Sequence, residues 1–311
     1  MARSLTAHSQ VLGMLYKFQD NMLYVCTVPG LPHRTRDNPK MYTSPAEYRI
    51  PYDNVSIMTT DNVRLHGWFL KAGRAVGDPD AAEAWEASGE PARTIVYFHG
   101  NAGNIGFRLP NVHRMHRVLN TDAMRTNILI VDYRGYGESE GTPDEKGLQL
   151  DAEAALRYVQ GREDVDNSRI VVFGRSLGGA VAIYLASKFP DEVAGVIVEN
   201  TFLNVSLMVD KVFSWLSFFK KLILRIYWPS DERIATIKAP VLVIRGMKDQ
   251  LVPPEHGEAL SKLATSSRSA TLYSVDNGAH NTTWQLGGAA YDVHIRSWLE
   301  KEVPAADGSA L

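Results

Sequence analysis

A serine can act as a nucleophile when the chain holds its hydroxyl out on a sharp turn, and Gly174-Arg175-Ser176-Leu177-Gly178 has the form of such a turn. The β-rich run Ile170–Phe173 leads into it and Gly179-Ala180-Val181-Ala182-Ile183 opens a helix after it, so a strand-to-helix elbow is expected with Ser176 at its tip. The flanking glycines let the backbone turn where a Cβ would obstruct it. Attack by a hydroxyl on an acyl carbon is the chemistry this arrangement serves.

A serine hydroxyl is a poor nucleophile until a histidine takes its proton, and the histidine needs a carboxylate to fix its tautomer. Of nine histidines, only His256, His280 and His294 follow Ser176. His280 stands in the polar stretch Asp276-Asn277-Gly278-Ala279-His280-Asn281 after the last strand pattern and is the expected base. His294 falls within a helical pattern, and His256 follows Pro253-Pro254 near a helix start, where a structural role is expected. For the carboxylate, Asp249 lies in the loop after the run Val241–Ile244 and is expected to orient His280. Asp276, only four residues from His280, is the rival and is expected to support its own loop instead. Asp132 precedes the serine and belongs to another loop.

Acyl transfer also builds negative charge on the former carbonyl oxygen, which two backbone N–H donors can hold. Leu177, directly after the serine, is one expected donor, and Asn101 in His99-Gly100-Asn101-Ala102-Gly103-Asn104 is the other. His99 is expected to shape this loop rather than to act as a base.

These residues need a scaffold, and the apolar pattern supplies one. Glu47–Leu70 alternates around Thr59-Thr60-Asp61-Asn62 as a hairpin would. Gly73–Arg93 has little strand character and is expected to be a surface insertion. Thr94–Phe98, Ile128–Val131, Ile170–Phe173, Val193–Val198, Val241–Ile244 and Thr271–Val275 are short β-rich runs, each expected to be a buried strand. Helical patterns at Leu148–Gln160, Ala180–Lys188 and Tyr291–Lys301 fall between or after them. Alternating strands and helices predict an α/β fold with a mostly parallel sheet covered on both faces. Val205–Trp228 interrupts the rhythm with an aromatic-rich, amphipathic helical pattern, expected to be a lid.

With 33 basic against 35 acidic residues, the net charge of −2 gives no reason to expect nucleic acid as a partner. The single cysteine, Cys26, excludes an internal disulfide and fits a reducing compartment. The start, Met1 to Phe18, has neither a long apolar core nor a small-residue cleavage site, and no stretch has the roughly 18 uninterrupted apolar residues of a spanning helix. A cytoplasmic protein is expected, with peripheral membrane contact through the lid as an option.

The motifs Phe98-His99-Gly100-Asn101-Ala102-Gly103-Asn104, Asp132-Tyr133-Arg134-Gly135-Tyr136-Gly137-Glu138-Ser139, Gly174 to Gly179, Glu199-Asn200-Thr201-Phe202 and Gly246 to Pro253 occur in an order that resembles the α/β-hydrolase superfamily. Within it they resemble the Bem-forty-six-like branch, from about Val55 to Glu300. The resemblance implies an α/β-hydrolase fold with a helical lid and the same triad that the chemistry selects. It divides the chain into an N-terminal arm (1–46), a hydrolase domain (47–302, lid 203–235) and a disordered tail (303–311). Related depalmitoylases make long-chain acyl thioesters one expected substrate class, beside other esters; a serine peptidase, or a catalytically idle scaffold or polarity factor, are the alternatives. Against these relatives the chain is expected to be without the N-terminal membrane anchor of many branch members, and it does not show the cysteine cluster of the depalmitoylases. Phe202, Phe213 and Phe219 are expected to contact substrate. The chemistry requires no cofactor and no metal, and oligomeric state is left open.

Overall fold

The computed structural model describes residues 16–17, 19–73, 91–121, 123–212 and 224–304, with the backbone alone at 210–212. Among the described residues eight strands form one sheet: β1 (Tyr52–Met58), β2 (Arg64–Leu70), β3 (Ala92–Phe98), β4 (Thr126–Val131), β5 (Val165–Arg175), β6 (Gly195–Glu199), β7 (Val241–Gly246) and β8 (Ala270–Val275). Their order is β1-β2-β4-β3-β5-β6-β7-β8, and only β2 runs antiparallel to its neighbours. The hairpin begins at Tyr52 rather than at Glu47, because Pro45–Tyr48 takes a 3₁₀ turn started by its proline.

The strands from β3 onward are apolar at successive positions because each face meets helices. Val96, Phe98, Val172, Val196 and Val243 look towards helices α2 (Glu145–Gln160) and α3 (Leu177–Lys188). Ile95, Tyr97, Phe173, Ile197 and Ile244 look towards α1 (Leu109–Leu119) and α8 (Gly288–Glu302). Fully burying one such side chain stabilises the fold by about 1.5–3 kcal/mol relative to exposure. Parallel alignment brings the C-terminal ends of β3, β5, β6, β7 and β8 to one rim, where ligand sites of open α/β sheets form.

Between β6 and β7 the chain makes its long excursion, beginning with α4 (Val205–Val212) and returning through 224–229 to α5 (Ser230–Ile234). Its base is stitched by hydrogen bonds from Val205 N to Tyr227 O (3.0 Å) and from Asp231 N to Leu203 O (3.0 Å). Ile226 and Trp228, at the end of the stretch read as a helical lid, lie outside any helix and belong to the core, and Trp228 Nε1 donates to Tyr24 Oη at 3.0 Å. Phe213 and Phe219 lie outside the described residues. No helix among the described residues is long and apolar enough to cross a membrane.

Two fully or nearly buried histidines link this packing to pH. His99 lies against the Tyr133 ring at a tilt of 32° and donates from Nδ1 to Gly100 O at 2.7 Å; His116 donates from Nε2 to Lys71 O at 2.8 Å. Burial pushes both pKa values down to about 4. In the unfolded chain each takes up a proton as pH falls through about 6.5, while the folded form stays neutral. Stability is therefore fully present above that pH and is lost as pH falls towards 4, by roughly 3 kcal/mol per histidine. Chemical unfolding at pH 7, 5.5 and 4.5 should show this slope, and His116→Gln, which keeps a donor without titrating, should flatten it. An unchanged slope in His116→Gln would assign the acid sensitivity to other groups.

Candidate active site

Ser176 sits at the tip of the β5–α3 turn with φ 52° and ψ −121°, a conformation in which an L-residue is strained. Close packing imposes it. A Cβ at Gly174 would meet Gly178 O at 2.0 Å, and one at Gly178 would meet Phe98 O at 2.1 Å. Hydrogen bonds hold the turn on both sides: Ser176 N donates to Glu199 O at 2.9 Å, and Ser176 O accepts from Thr201 Oγ1 at 2.7 Å and Gly179 N at 2.9 Å.

The structure brings Ser176, His280 and Asp249 together from the ends of β5, β8 and β7. Ser176 Oγ lies 3.0 Å from His280 Nε2, and His280 Nδ1 lies 2.7 Å from Asp249 Oδ2. Asp249 is buried, and its other oxygen accepts from Leu251 N (2.8 Å) and Val252 N (2.9 Å), so the carboxylate is fixed before it meets the imidazole. Such a chain can pass the serine proton to Nε2 and stabilise the imidazolium that results. Asp276 is exposed, and it is Asp249, not Asp276, that His280 Nδ1 meets. His294 stacks on Tyr273 at 3.8 Å, and His256 Nδ1 accepts from Leu203 N at 3.2 Å, tying down the base of the excursion. Asp132 is engaged elsewhere, by Ile105 N at 2.9 Å and His66 Nδ1 at 3.3 Å.

Leu177 opens α3, so its N–H has no intrahelical acceptor, and no side chain caps that end. Asn101 N likewise donates to no atom among the described residues. These two N–H groups flank the serine and are free to hold an oxyanion. The Asn101 side chain is bound instead to the N-terminal arm and to the loop after β4, accepting from Val25 N at 3.0 Å and Tyr136 Oη at 2.8 Å and donating to Leu23 O. Asn104 is similarly held by His33 O (3.0 Å) and Asn38 (2.8 Å). This bracing by the arm has no signature in local pattern or spacing. Phe202, just beyond Thr201, is buried in the core. Among the described residues no group of three or more His, Cys, Asp or Glu is placed to hold a metal ion.

A residue that chemical spacing alone misses is Asn200, whose φ of 48° aims its amide across the site. Its Oδ1 accepts from Gly246 N at 2.8 Å, and its Nδ2 donates to His280 O at 3.0 Å and Thr283 Oγ1 at 2.9 Å. One amide thus fixes the loop of His280 against the strand leading to Asp249. Asn200→Asp should keep the bond to Gly246 and lose both donors. We expect kcat on an activated ester to fall about 10²-fold, since small misplacement of a catalytic group has that cost. Stability should fall by about 1–3 kcal/mol. Kinetics and chemical unfolding of one preparation check both, and an unaltered kcat would show that the loop holds itself.

Comparison with known proteins places this geometry in context. Residues 93–225 match the α/β hydrolase fold family. The chain is 37% identical to the α/β hydrolase domain-containing protein WAV2 of Arabidopsis thaliana over 94% of this chain and 91% of that protein. It is 34% identical to protein bem46 of Schizosaccharomyces pombe over 94% of this chain and 89% of that one. Among solved structures, an α/β hydrolase from Vibrio vulnificus has a TM-score of 0.67 at 20% identity, with 90% of this chain and 92% of that chain covered. The Pyrococcus furiosus esterase Pf2001 has a TM-score of 0.64 at 21% identity, with 83% and 95% covered. At these identities the structural likeness speaks to fold.

Proposed function

Because the chain belongs to the α/β-hydrolase family, in the branch of bem46 and WAV2, we propose that it is a serine hydrolase of carboxylic esters or thioesters, working through an acyl-enzyme. The observation that carries this reading is the continuous chain from Ser176 Oγ to His280 to Asp249 beside two unengaged N–H groups. Ser176 attacks the acyl carbon as His280 Nε2 takes its proton, and the N–H groups of Asn101 and Leu177 hold the oxyanion. His280 then protonates the leaving group, and water activated by the same imidazole frees the acid.

Long-chain acyl thioesters are the finer proposal, with Phe213 and Phe219 as the acyl-binding residues and peripheral membrane contact through the excursion. The position of that excursion between β6 and β7, beside Glu199-Asn200-Thr201-Phe202, supports it. Each methylene a pocket buries is worth about 0.8 kcal/mol, so a chain-binding wall should raise kcat/KM steeply with acyl length. The test is a series of p-nitrophenyl esters from two to sixteen carbons with the matching acyl-CoA thioesters, run beside Ser176→Ala. Turnover that rises with length and is lost in Phe213→Ser/Phe219→Ser supports the long-chain reading. Turnover of short esters alone would confine the protein to small acyl groups, and failure of fluorophosphonate labelling would remove the hydrolase reading in favour of an idle scaffold.

A further inference from the structure

A cleft of about 420 Å³ opens beside the candidate site, between the loop of Asn101, the residues after His280 and the N-terminal arm. Among the described residues its lining has two arginines, Arg108 and Arg175, and no aspartate, glutamate or lysine. The two cations differ. Arg175 lies 2.7 Å from Glu199, which balances its charge. Arg108 has no carboxylate within ion-pair distance among the described residues; its Nη2 faces only the carbonyls of Gly100 (3.3 Å), Asn101 (3.3 Å) and Ala102. Its Nε is buried with no hydrogen-bond partner. Burial, and then Arg175 nearby, act to lower the pKa of this guanidinium, with the more distant Asp132 carboxylate acting to raise it.

Resting on the hydrolase reading, we infer that this cleft receives the leaving-group part of the substrate, and that this part carries an anionic oxygen group, a carboxylate or a phosphate, matched to Arg108. The side follows from the chemistry. His280 Nε2 must reach the leaving atom to protonate it, and Asn281, Trp284 and Gln285, which follow His280, form one wall of this cleft. Trp284 and Phe107 offer flat apolar surface for the atoms between the scissile bond and the anion. A guanidinium in such a site favours an oxyanion through charge-assisted hydrogen bonds.

The test compares phenyl butyrate with 4-carboxyphenyl butyrate and 4-(butyryloxy)phenyl phosphate, each rate divided by that of its hydroxide-catalysed hydrolysis. The expected kcat/KM ratio of anionic to neutral ester is about tenfold or more at low salt, falling towards one at high salt. The preferred anion distinguishes a carboxylate from a phosphate source. In Arg108→Gln the ratio should fall to about one even if every rate drops through the Asn101 loop. Gln285→Glu, at the exposed rim of the cleft, places an opposing charge and should also lower the ratio, which guards against misfolding of the first variant. In parallel, calorimetry on Ser176→Ala should show 4-hydroxybenzoate binding more tightly than 4-hydroxybenzamide. No preference for anions in either assay, or a ratio that survives both substitutions, would overturn the inference while neutral-ester turnover left the hydrolase reading intact. Failure of every ester and of fluorophosphonate labelling would remove the hydrolase reading instead, and the calorimetry would then decide the cleft alone.

Discussion

Ser176→Ala is expected to abolish fluorophosphonate labelling and to lower kcat for an activated ester on the order of 10⁶-fold, with His280→Ala nearly as severe. The size follows from the geometry: Ser176 Oγ, His280 and Asp249 form one hydrogen-bonded unit, and removing either of the first two leaves nothing to generate or accept the acyl group. Asp249→Asn should cost about 10⁴-fold, because the amide keeps the shape but favours the wrong imidazole tautomer. Asp276→Asn should change little, since Asp276 is exposed and it is Asp249 that His280 Nδ1 meets. Stability is the control. The serine holds a strained φ of 52° and its side chain contributes little apolar burial, so Ser176→Ala should melt at or slightly above the wild-type temperature. Purified Ser176→Ala with more than a few per cent of wild-type turnover would put the nucleophile elsewhere.

Much of this site was legible in the sequence because its parts are local. Ser176 lies in a turn whose glycines are needed within four residues of each other, and Asp249 and His280 stand in polar loops directly after apolar strand runs. The strands were legible for the same reason: burial on both faces leaves continuous runs such as Thr94–Phe98 that need no knowledge of their neighbours. What escaped depends on distant segments meeting. Residues 1–46 are set apart in sequence as an arm, yet Leu23, Val25, His33 and Asn38 hold the loop of Asn101 and Asn104 in place, and Tyr24 is core. Nothing in the composition of residues 19–46 marks that contact, which spans more than sixty residues of chain. Ile226 and Trp228, at the end of the pattern read as a lid, show the converse case. An apolar stripe at helical spacing states that a face is covered without stating by what, and here the core covers both.

Glu199→Leu should be the most damaging single change to stability away from the triad, by about 3–5 kcal/mol in chemical unfolding. Arg175 and Glu199 are register partners at the ends of β5 and β6, and both side chains are buried. Their Nε and Oε1 approach to 2.7 Å off the line of a good hydrogen bond, so the pair is a contact of charges more than a directed bond. Further groups complete it: Tyr291 Oη donates to Glu199 Oε2, and Arg175 Nη2 donates to Asn111 Oδ1 at 3.3 Å. Deleting the carboxylate leaves a buried guanidinium without compensation and a tyrosine hydroxyl without an acceptor. The double variant Arg175→Met/Glu199→Leu removes both charges and should recover much of the loss, because the pair's attraction does little more than offset its desolvation. Recovery in the double variant would also explain why the pair is hard to read from sequence. Arg175 occupies the free position of the Gly-Arg-Ser-Leu-Gly elbow and Glu199 ends an apolar strand 24 residues later, so only the parallel register of β5 and β6 makes them neighbours. A loss below about 1 kcal/mol in Glu199→Leu would mean that water reaches Arg175 through the cleft and that its charge needs no internal partner.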